Sequence, residues 1–134
     1  MATSSIRVLV VDDYKPFRQF LSSNLQNTSS LSSLYVCWEA SDGLEAVRKA
    51  EELQPDLILL DIGLPKLNGI EAARQIRKVS PESKILFVSQ ESSAEVVQEA
   101  LGLGARGYVV KTVARFVGRR FSGHDFVRTS HAGA

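Results

Sequence analysis

Four short apolar runs in this sequence are each followed by polar side chains that can bind a metal ion or a phosphoryl group. The polar residues are Asp12, Asp13, Asp61, Ser89 and Lys111. Apolar runs of this length are typical of buried parallel strands. The carboxyl ends of such strands lie along one edge of an open α/β sheet, where these sheets bind their ligands. We therefore expect the five side chains to converge on one site.

The expected site suits a divalent cation and phosphoryl transfer. Mg²⁺ prefers oxygen ligands, and carboxylates crowded together without a cation should raise the pKa of at least one of them. A carboxylate can attack phosphorus and form an acyl phosphate, with Lys111 screening the developing charge and Ser89 donating to a phosphoryl oxygen. Singly, such residues are usually helix caps, turn residues or solvated side chains. Their joint occurrence at four strand ends indicates the site.

The elements that would position this site alternate between strand and helix, which indicates an α/β fold. Right-handed crossovers then favour a doubly wound, flavodoxin-like parallel sheet of five strands in the order 2-1-3-4-5, with its switch point between strands one and three. The predicted strands are residues 6–11, 34–40, 57–60, 84–88 and 107–110. The predicted helices begin near Pro16, after the Asp42 and Glu45 capping pair, near Ile70 and at Ala94.

Length and composition restrict the class of protein. A chain of 134 residues suits one domain. We expect no membrane association, because no apolar stretch approaches a membrane span, and no basic region precedes an apolar one at the start. The single cysteine, Cys37, excludes an internal disulfide and fits a reducing, cytoplasmic location.

Charge is unevenly distributed along the chain. Residues 1–110 carry a net charge of −3 and residues 111–134 a net charge of +4. A basic tail can contact nucleic acid, but four net charges without an aromatic pattern do not predict direct nucleic-acid binding. A solvated or partner-bound tail fits better.

The strand-end motifs resemble the receiver domain of two-component response regulators over about residues 5–112. The segment from Asp61 to Lys78 is most similar to receivers that carry a LuxR-type helix-turn-helix output domain. We accordingly divide the chain into a receiver domain at 1–112 and an atypical basic tail at 113–134. The matching motifs are Val10-Val11-Asp12-Asp13, Asp61-Ile62-Gly63-Leu64-Pro65 with Gly69, Ser89, and Gly107-Tyr108-Val109-Val110-Lys111.

The resemblance implies that a sensor histidine kinase phosphorylates Asp61. Asp12 and Asp13 would bind Mg²⁺ together with Asp61 and the backbone carbonyl of Gly63. The protein would then be a signalling switch that catalyses only its own phosphorylation and dephosphorylation.

The resemblance also implies how the signal spreads. Ser89 and Lys111 would hold the phosphoryl group, and Tyr108 would rotate inward as Ser89 moves toward it; an ordinary amphipathic strand residue is the alternative for Tyr108. Gln90 and Glu91 would lie beside the site. They would either tune the hydrolysis of the acyl phosphate or be solvated loop residues.

The chain departs from the receiver pattern after Lys111, where the family has a fifth helix. A helix of usual length does not fit before Gly118, so we expect the fifth helix to be shortened or missing. Either an improvised tail replaces it, or the tail is disordered and the exposed face of the fourth helix and fifth strand drives homodimer formation.

Three other functions stay open on sequence grounds. The first is a receiver that no longer switches and acts as a protein-binding module. The second is an aspartyl-phosphate phosphohydrolase, although such an enzyme would have a second acid where Gly63 stands. The third is a flavodoxin-like cofactor binder, although Asp12 and Asp13 would repel a phosphate after the first strand.

Overall fold

The computed structural model describes residues 4–27, 33–111 and 129–131. Strands and helices alternate through the chain as predicted. The strands are β1 (Ser4–Val11), β2 (Ser33–Ala40), β3 (Leu57–Leu60), β4 (Lys84–Ser89), β5 (Gly107–Val110) and β6 (Thr129–His131). The helices are α1 (Lys15–Asn27), α2 (Gly43–Leu53), α3 (Gly69–Val79) and α4 (Ala94–Gly102).

The first five strands form a parallel sheet in the order β2-β1-β3-β4-β5, which confirms the predicted fold class. The chain moves outward from β1 to β2 on one side and from β3 to β5 on the other. The switch point therefore lies between β1 and β3, where Val11 is paired with Leu60. The residue that follows each of these two strands is an aspartate.

A sixth strand, which the sequence did not predict, extends the sheet. β6 runs antiparallel to β5 and places Ser130 opposite Tyr108. Three residues are too few to show a strand pattern, so the predicted five-stranded sheet was incomplete. β6 covers backbone groups that an edge strand otherwise exposes. The predicted fifth-helix segment and most of the predicted tail, with its two alternatives, lie outside the described residues.

Alternate strand residues pack on opposite faces of the sheet, as the period of a strand requires. On one face Leu9 and Ile58 are fully buried in a cluster to which α2, α3 and α4 contribute. On the other face Val8 and Leu59 pack with Phe17 of α1. Helices thus flank the sheet on both sides. Among the described helices, none is long and apolar enough to cross a membrane.

Side-chain caps set the start of three helices. Asp42 accepts a hydrogen bond from the Glu45 backbone N–H at 2.8 Å, and the Glu45 carboxylate accepts one from the Ser41 N–H. Asn68 and Ser93 cap α3 and α4 in the same way. The predicted capping pair is confirmed, with the Ser41 N–H as the donor to the Glu45 carboxylate.

Candidate functional site

The predicted site residues lie together at the carboxyl edge of the sheet. Backbone bonds continue the strand ladder one residue beyond the strands. The Asp12 N–H donates to the Ala40 carbonyl and the Asp61 N–H to the Val11 carbonyl, each at 3.1 Å, and the Lys111 N–H donates to the Ser89 carbonyl at 2.8 Å. These bonds fix the direction in which each side chain leaves the sheet.

Three carboxylates form an acidic cluster at the switch point. One oxygen from each of Asp12, Asp13 and Asp61 lies within 4.8 Å of the others. Asp12 and Asp61 are buried, whereas Asp13 is exposed. Burial raises the pKa of Asp12, the ammonium group of Lys111 lowers it, and the charge of Asp61 raises it, with a net upward result. Burial is the main cause, and the crowding of carboxylates expected from the sequence acts in the same direction.

Lys111 bridges the two buried carboxylates. Its Nζ lies 2.7 Å from Asp12 Oδ2 and 3.3 Å from Asp61 Oδ2. The ammonium group also lies 4.3 Å from the centre of the Phe17 ring, a distance at which a cation is attracted to the ring face. Lys111 is therefore held between opposite charges and an aromatic face instead of being solvated.

The remaining carboxylate oxygens accept local backbone bonds. Asp12 Oδ1 accepts from the Tyr14 N–H at 2.9 Å, and Asp61 Oδ1 accepts from the Ile62 N–H at 2.7 Å. Each buried aspartate therefore has a partner on both oxygens. The two carboxylates are held in fixed orientations, as preorganised chemistry requires.

The loop between β3 and α3 packs closely against Asp61. A Cβ on Gly69 would lie 2.0 Å from the Asp61 carbonyl oxygen, so no larger residue fits there. The Gly69 N–H also donates to the Ile62 carbonyl at 2.7 Å. Gly63, by contrast, has open space on its Cβ side. The close packing of Asp61 thus explains why the motif requires a glycine at position 69.

Ser89 and Tyr108 are linked through the backbone of Glu91. Buried Ser89 accepts from the Glu91 N–H at 3.3 Å, and the Tyr108 hydroxyl donates to the Glu91 carbonyl at 2.6 Å. The Tyr108 ring is fully buried and stacks on Phe87. Burial raises the pKa of Tyr108 to about 12. The ring is thus buried in the core, and the role of Tyr108 as a switch residue stays a prediction.

A cavity of about 360 Å³ opens onto the acidic cluster. Its walls include Asp61 and Ser89, and neither Asp12 nor Lys111 borders it. Asp61 is thus the buried carboxylate that a ligand in the cavity can reach. The lining residues are Asp13, Asp61, Ile62, Gly63, Ser89, Gln90 and Glu91.

Sequence reasoning missed two side chains that support the cluster. Phe17 lies under the Lys111 ammonium group, and Arg18 donates to the Asp12 carbonyl at 2.8 Å. Both lie in the first turn and a half of α1, close behind the acidic pair in the sequence. In the sequence, Phe17 falls on one helical face with Leu21 and Leu25, which is typical of a core residue. No pattern distinguishes Arg18 from a solvated arginine.

This fold, with a carboxylate cluster and a lysine at its switch point, defines a class of signalling domain. Residues 8–117 match the model of the response regulator receiver domain family. The chain belongs to that family. Receiver domains are signalling switches within two-component systems and not metabolic enzymes.

Individual relatives agree with this assignment. The chemotaxis protein CheY of Thermotoga maritima is 38% identical over 105 residues, which cover 78% of this chain and 84% of the relative. The response regulator VraR of Staphylococcus aureus is 39% identical over 110 residues, or 82% of this chain, but this chain spans only 51% of VraR.

A solved structure supports the similarity to LuxR-type regulators. The two-component response regulator of the LuxR family from an Aurantimonas species superposes with a TM-score of 0.72 at 30% identity. The match covers 90% of this chain and 92% of that one. The roles of the individual site residues stay predictions.

Proposed function

We propose that this chain is a phosphorylatable switch of a two-component phosphorelay, in which Asp61 accepts a phosphoryl group from a phosphohistidine of a sensor histidine kinase. The position of Asp61 carries this proposal. It is the buried carboxylate that borders the cavity, while Asp12 lies behind it and Asp13 is exposed. A nucleophile must be reachable by its substrate yet shielded from bulk water, and Asp61 meets both conditions.

The donor set fits Mg²⁺. Three carboxylates within 4.8 Å of one another offer the hard oxygen ligands that Mg²⁺ prefers. Asp12, Asp13, Asp61 and the Gly63 carbonyl would hold the ion. When bound, the ion supplies positive charge that lets a phosphoryl group approach an acidic site.

The transfer itself needs few groups. An Asp61 carboxylate oxygen forms a bond to phosphorus while the phosphorus–nitrogen bond of the phosphohistidine breaks, and the electron pair returns to the imidazole nitrogen, which takes up a proton. The product is an acyl phosphate. Lys111 compensates charge on the phosphoryl oxygens, and Ser89 donates a hydrogen bond to one of them. Attack by water on the same phosphorus resets the switch.

The switching step follows from the link between Ser89 and Tyr108. Phosphorylation adds a charge of about −1.5 to −2 and new acceptor oxygens beside Ser89. When the Ser89 hydroxyl turns toward these phosphoryl oxygens, it loses its hydrogen bond from the Glu91 N–H. The carbonyl of the same residue, Glu91, accepts a hydrogen bond from the Tyr108 hydroxyl. The state of the phosphoryl group thereby biases the packing of Tyr108 and the start of α4.

The partners follow from the same proposal. A sensor histidine kinase supplies the phosphoryl group, in the reducing cytoplasmic setting that the single cysteine favours. The face of α4, β5 and the C-terminal strand serves as the output surface, through a protein partner or a second copy of the chain. Direct contact with nucleic acid is not part of the proposed function.

Intact-protein mass spectrometry tests the proposal. The protein is incubated with Mg²⁺ and acetyl phosphate, beside Asp61→Asn and the fold control Asp56→Asn. We expect one phosphoryl group on the wild type and on Asp56→Asn and none on Asp61→Asn. Equal uptake by Asp61→Asn would disprove the assignment of the acceptor.

A further inference from the structure

Arg18 of α1 joins three elements around the acidic cluster. Its Nη1 donates to the Asp12 backbone carbonyl at 2.8 Å, and its Nε pairs with Glu39 Oε1 at 2.7 Å near the end of β2. The Arg18 side chain is only 14% exposed. The planar guanidinium therefore spans from α1 to β1 and β2 in one fixed arrangement, which a flexible ammonium group could not reproduce.

The backbone at Asp12 determines where Asp13 lies. Within residues 4–27, 33–111 and 129–131, no side chain or backbone group donates a hydrogen bond to the Asp13 carboxylate. Its placement depends on the peptide between Asp12 and Asp13, whose carbonyl Arg18 holds. The Asp12 N–H is held separately by the Ala40 carbonyl. That bond holds the preceding peptide, so the Asp12–Asp13 peptide itself is held through the Arg18 bond to the Asp12 carbonyl.

The positive charge of Arg18, considered without its hydrogen bonds, should weaken Mg²⁺ binding. A cation beside three carboxylates repels a second cation, so its positive charge opposes Mg²⁺ binding. Glu39, which lies 2.7 Å from Arg18, offsets that charge locally. The Arg18–Glu39 pair therefore keeps the hydrogen bonds of the guanidinium while reducing its repulsion of a Mg²⁺ ion.

We infer that Arg18 is a positioning residue for the Mg²⁺ site, holding the Asp12–Asp13 peptide so that Asp13 faces Asp61. This inference rests on the proposed function, because it concerns the same ion. The charge of Arg18 and its hydrogen-bond geometry predict opposite changes in Mg²⁺ affinity when the residue is replaced. Loss of its charge alone strengthens Mg²⁺ binding, whereas loss of its geometry weakens it.

Calorimetric titration with Mg²⁺ distinguishes these effects. Arg18→Gln should weaken Mg²⁺ binding about tenfold, the low end of what outer-shell changes cost. Arg18→Lys keeps the charge and loses the paired geometry, so it should weaken binding as well. Arg74→Gln makes the same charge change on the exposed face of α3 and should stay within about twofold.

A second readout separates positioning from general damage. With acetyl phosphate, the Mg²⁺ concentration for half-maximal phosphorylation rate should rise in both Arg18 variants, while the rate at saturating Mg²⁺ returns to near that of the wild type. Circular dichroism checks that each variant is folded. If Arg18→Gln does not fold, Arg18→Lys alone tests the inference. Unchanged or tighter Mg²⁺ binding by Arg18→Lys overturns the inference. A wild type that binds no Mg²⁺ overturns the proposed function, and this inference with it.

Discussion

Replacement of Lys111 by methionine tests the electrostatics of the site directly. Lys111 Nζ lies 2.7 Å from Asp12 and 3.3 Å from Asp61, and all three side chains are at most 10% exposed. Coulomb's law with an effective dielectric constant of about 20 gives roughly 5–6 kcal/mol of attraction for each contact. Desolvation of the lysine offsets several kcal/mol of this, so we expect a net loss of about 3–5 kcal/mol in the free energy of unfolding.

The loss should depend on pH with a definite sign. Burial already raises the pKa of Asp12, and Lys111 opposes that rise. Folded Asp12 already keeps its proton to higher pH than unfolded Asp12 does, and without Lys111 it should keep that proton to a higher pH still. Unfolding then releases a proton, so the variant loses stability as pH increases. The deficit relative to wild type should therefore be smallest at acidic pH and should grow as pH rises through the titration of Asp12.

Urea denaturation at several pH values, with and without Mg²⁺, measures this deficit. Mg²⁺ should stabilise Lys111→Met more than wild type, because the variant presents the same carboxylates without a competing cation. The exposed Lys84→Met serves as the control and should change stability by no more than about 0.5 kcal/mol. A Lys111→Met deficit below about 1 kcal/mol at all pH values, or one independent of pH, would refute the electrostatic reasoning.

Three further predictions concern the surroundings of the site. Gly69→Ala should destabilise the fold by about 2 kcal/mol or more, because its Cβ meets the Asp61 carbonyl, whereas Gly63→Ala, which has open space, should stay within about 0.5 kcal/mol in thermal melts. Tyr108→Phe should lose about 1 kcal/mol with its hydroxyl bond. In absorbance titrations of the wild type, the phenolate signal that is absent from Tyr108→Phe should appear only near pH 12. An ordinary pKa for Tyr108 would contradict the burial of its hydroxyl. Glu91→Gln should speed phosphorylation by acetyl phosphate about two- to fivefold at low salt, by removing a negative charge from the cavity wall. An effect that persists at high salt would argue against this cause.

The positions of the parallel strands and the convergence of the site followed from local sequence patterns, whereas the strand order followed from the right-handed crossovers of an alternating α/β chain. Apolar runs specified the strands, and the polar residue after each run lay at the same sheet edge once the strands were parallel. Asp12, Asp61, Ser89 and Lys111 were therefore predictable together.

Other features depend on contacts that no local pattern encodes. β6 is too short for a periodic signal, and its partner β5 precedes it by about twenty residues. The place of Phe17 beneath Lys111 and the bond from Arg18 to Asp12 arise only when α1 packs against the sheet. The sequence shows the type of these residues but not which atoms they contact.

Mapping the phosphorylated residue tests the central claim most directly. The protein is treated with acetyl phosphate and Mg²⁺, reduced with borohydride, which converts a phosphorylated aspartate to homoserine, and then sequenced by tandem mass spectrometry. We predict homoserine at position 61 only, and none when Mg²⁺ is chelated. Homoserine at position 12 or 13, or no homoserine at all, would contradict Asp61 as the reachable nucleophile of the acidic cluster.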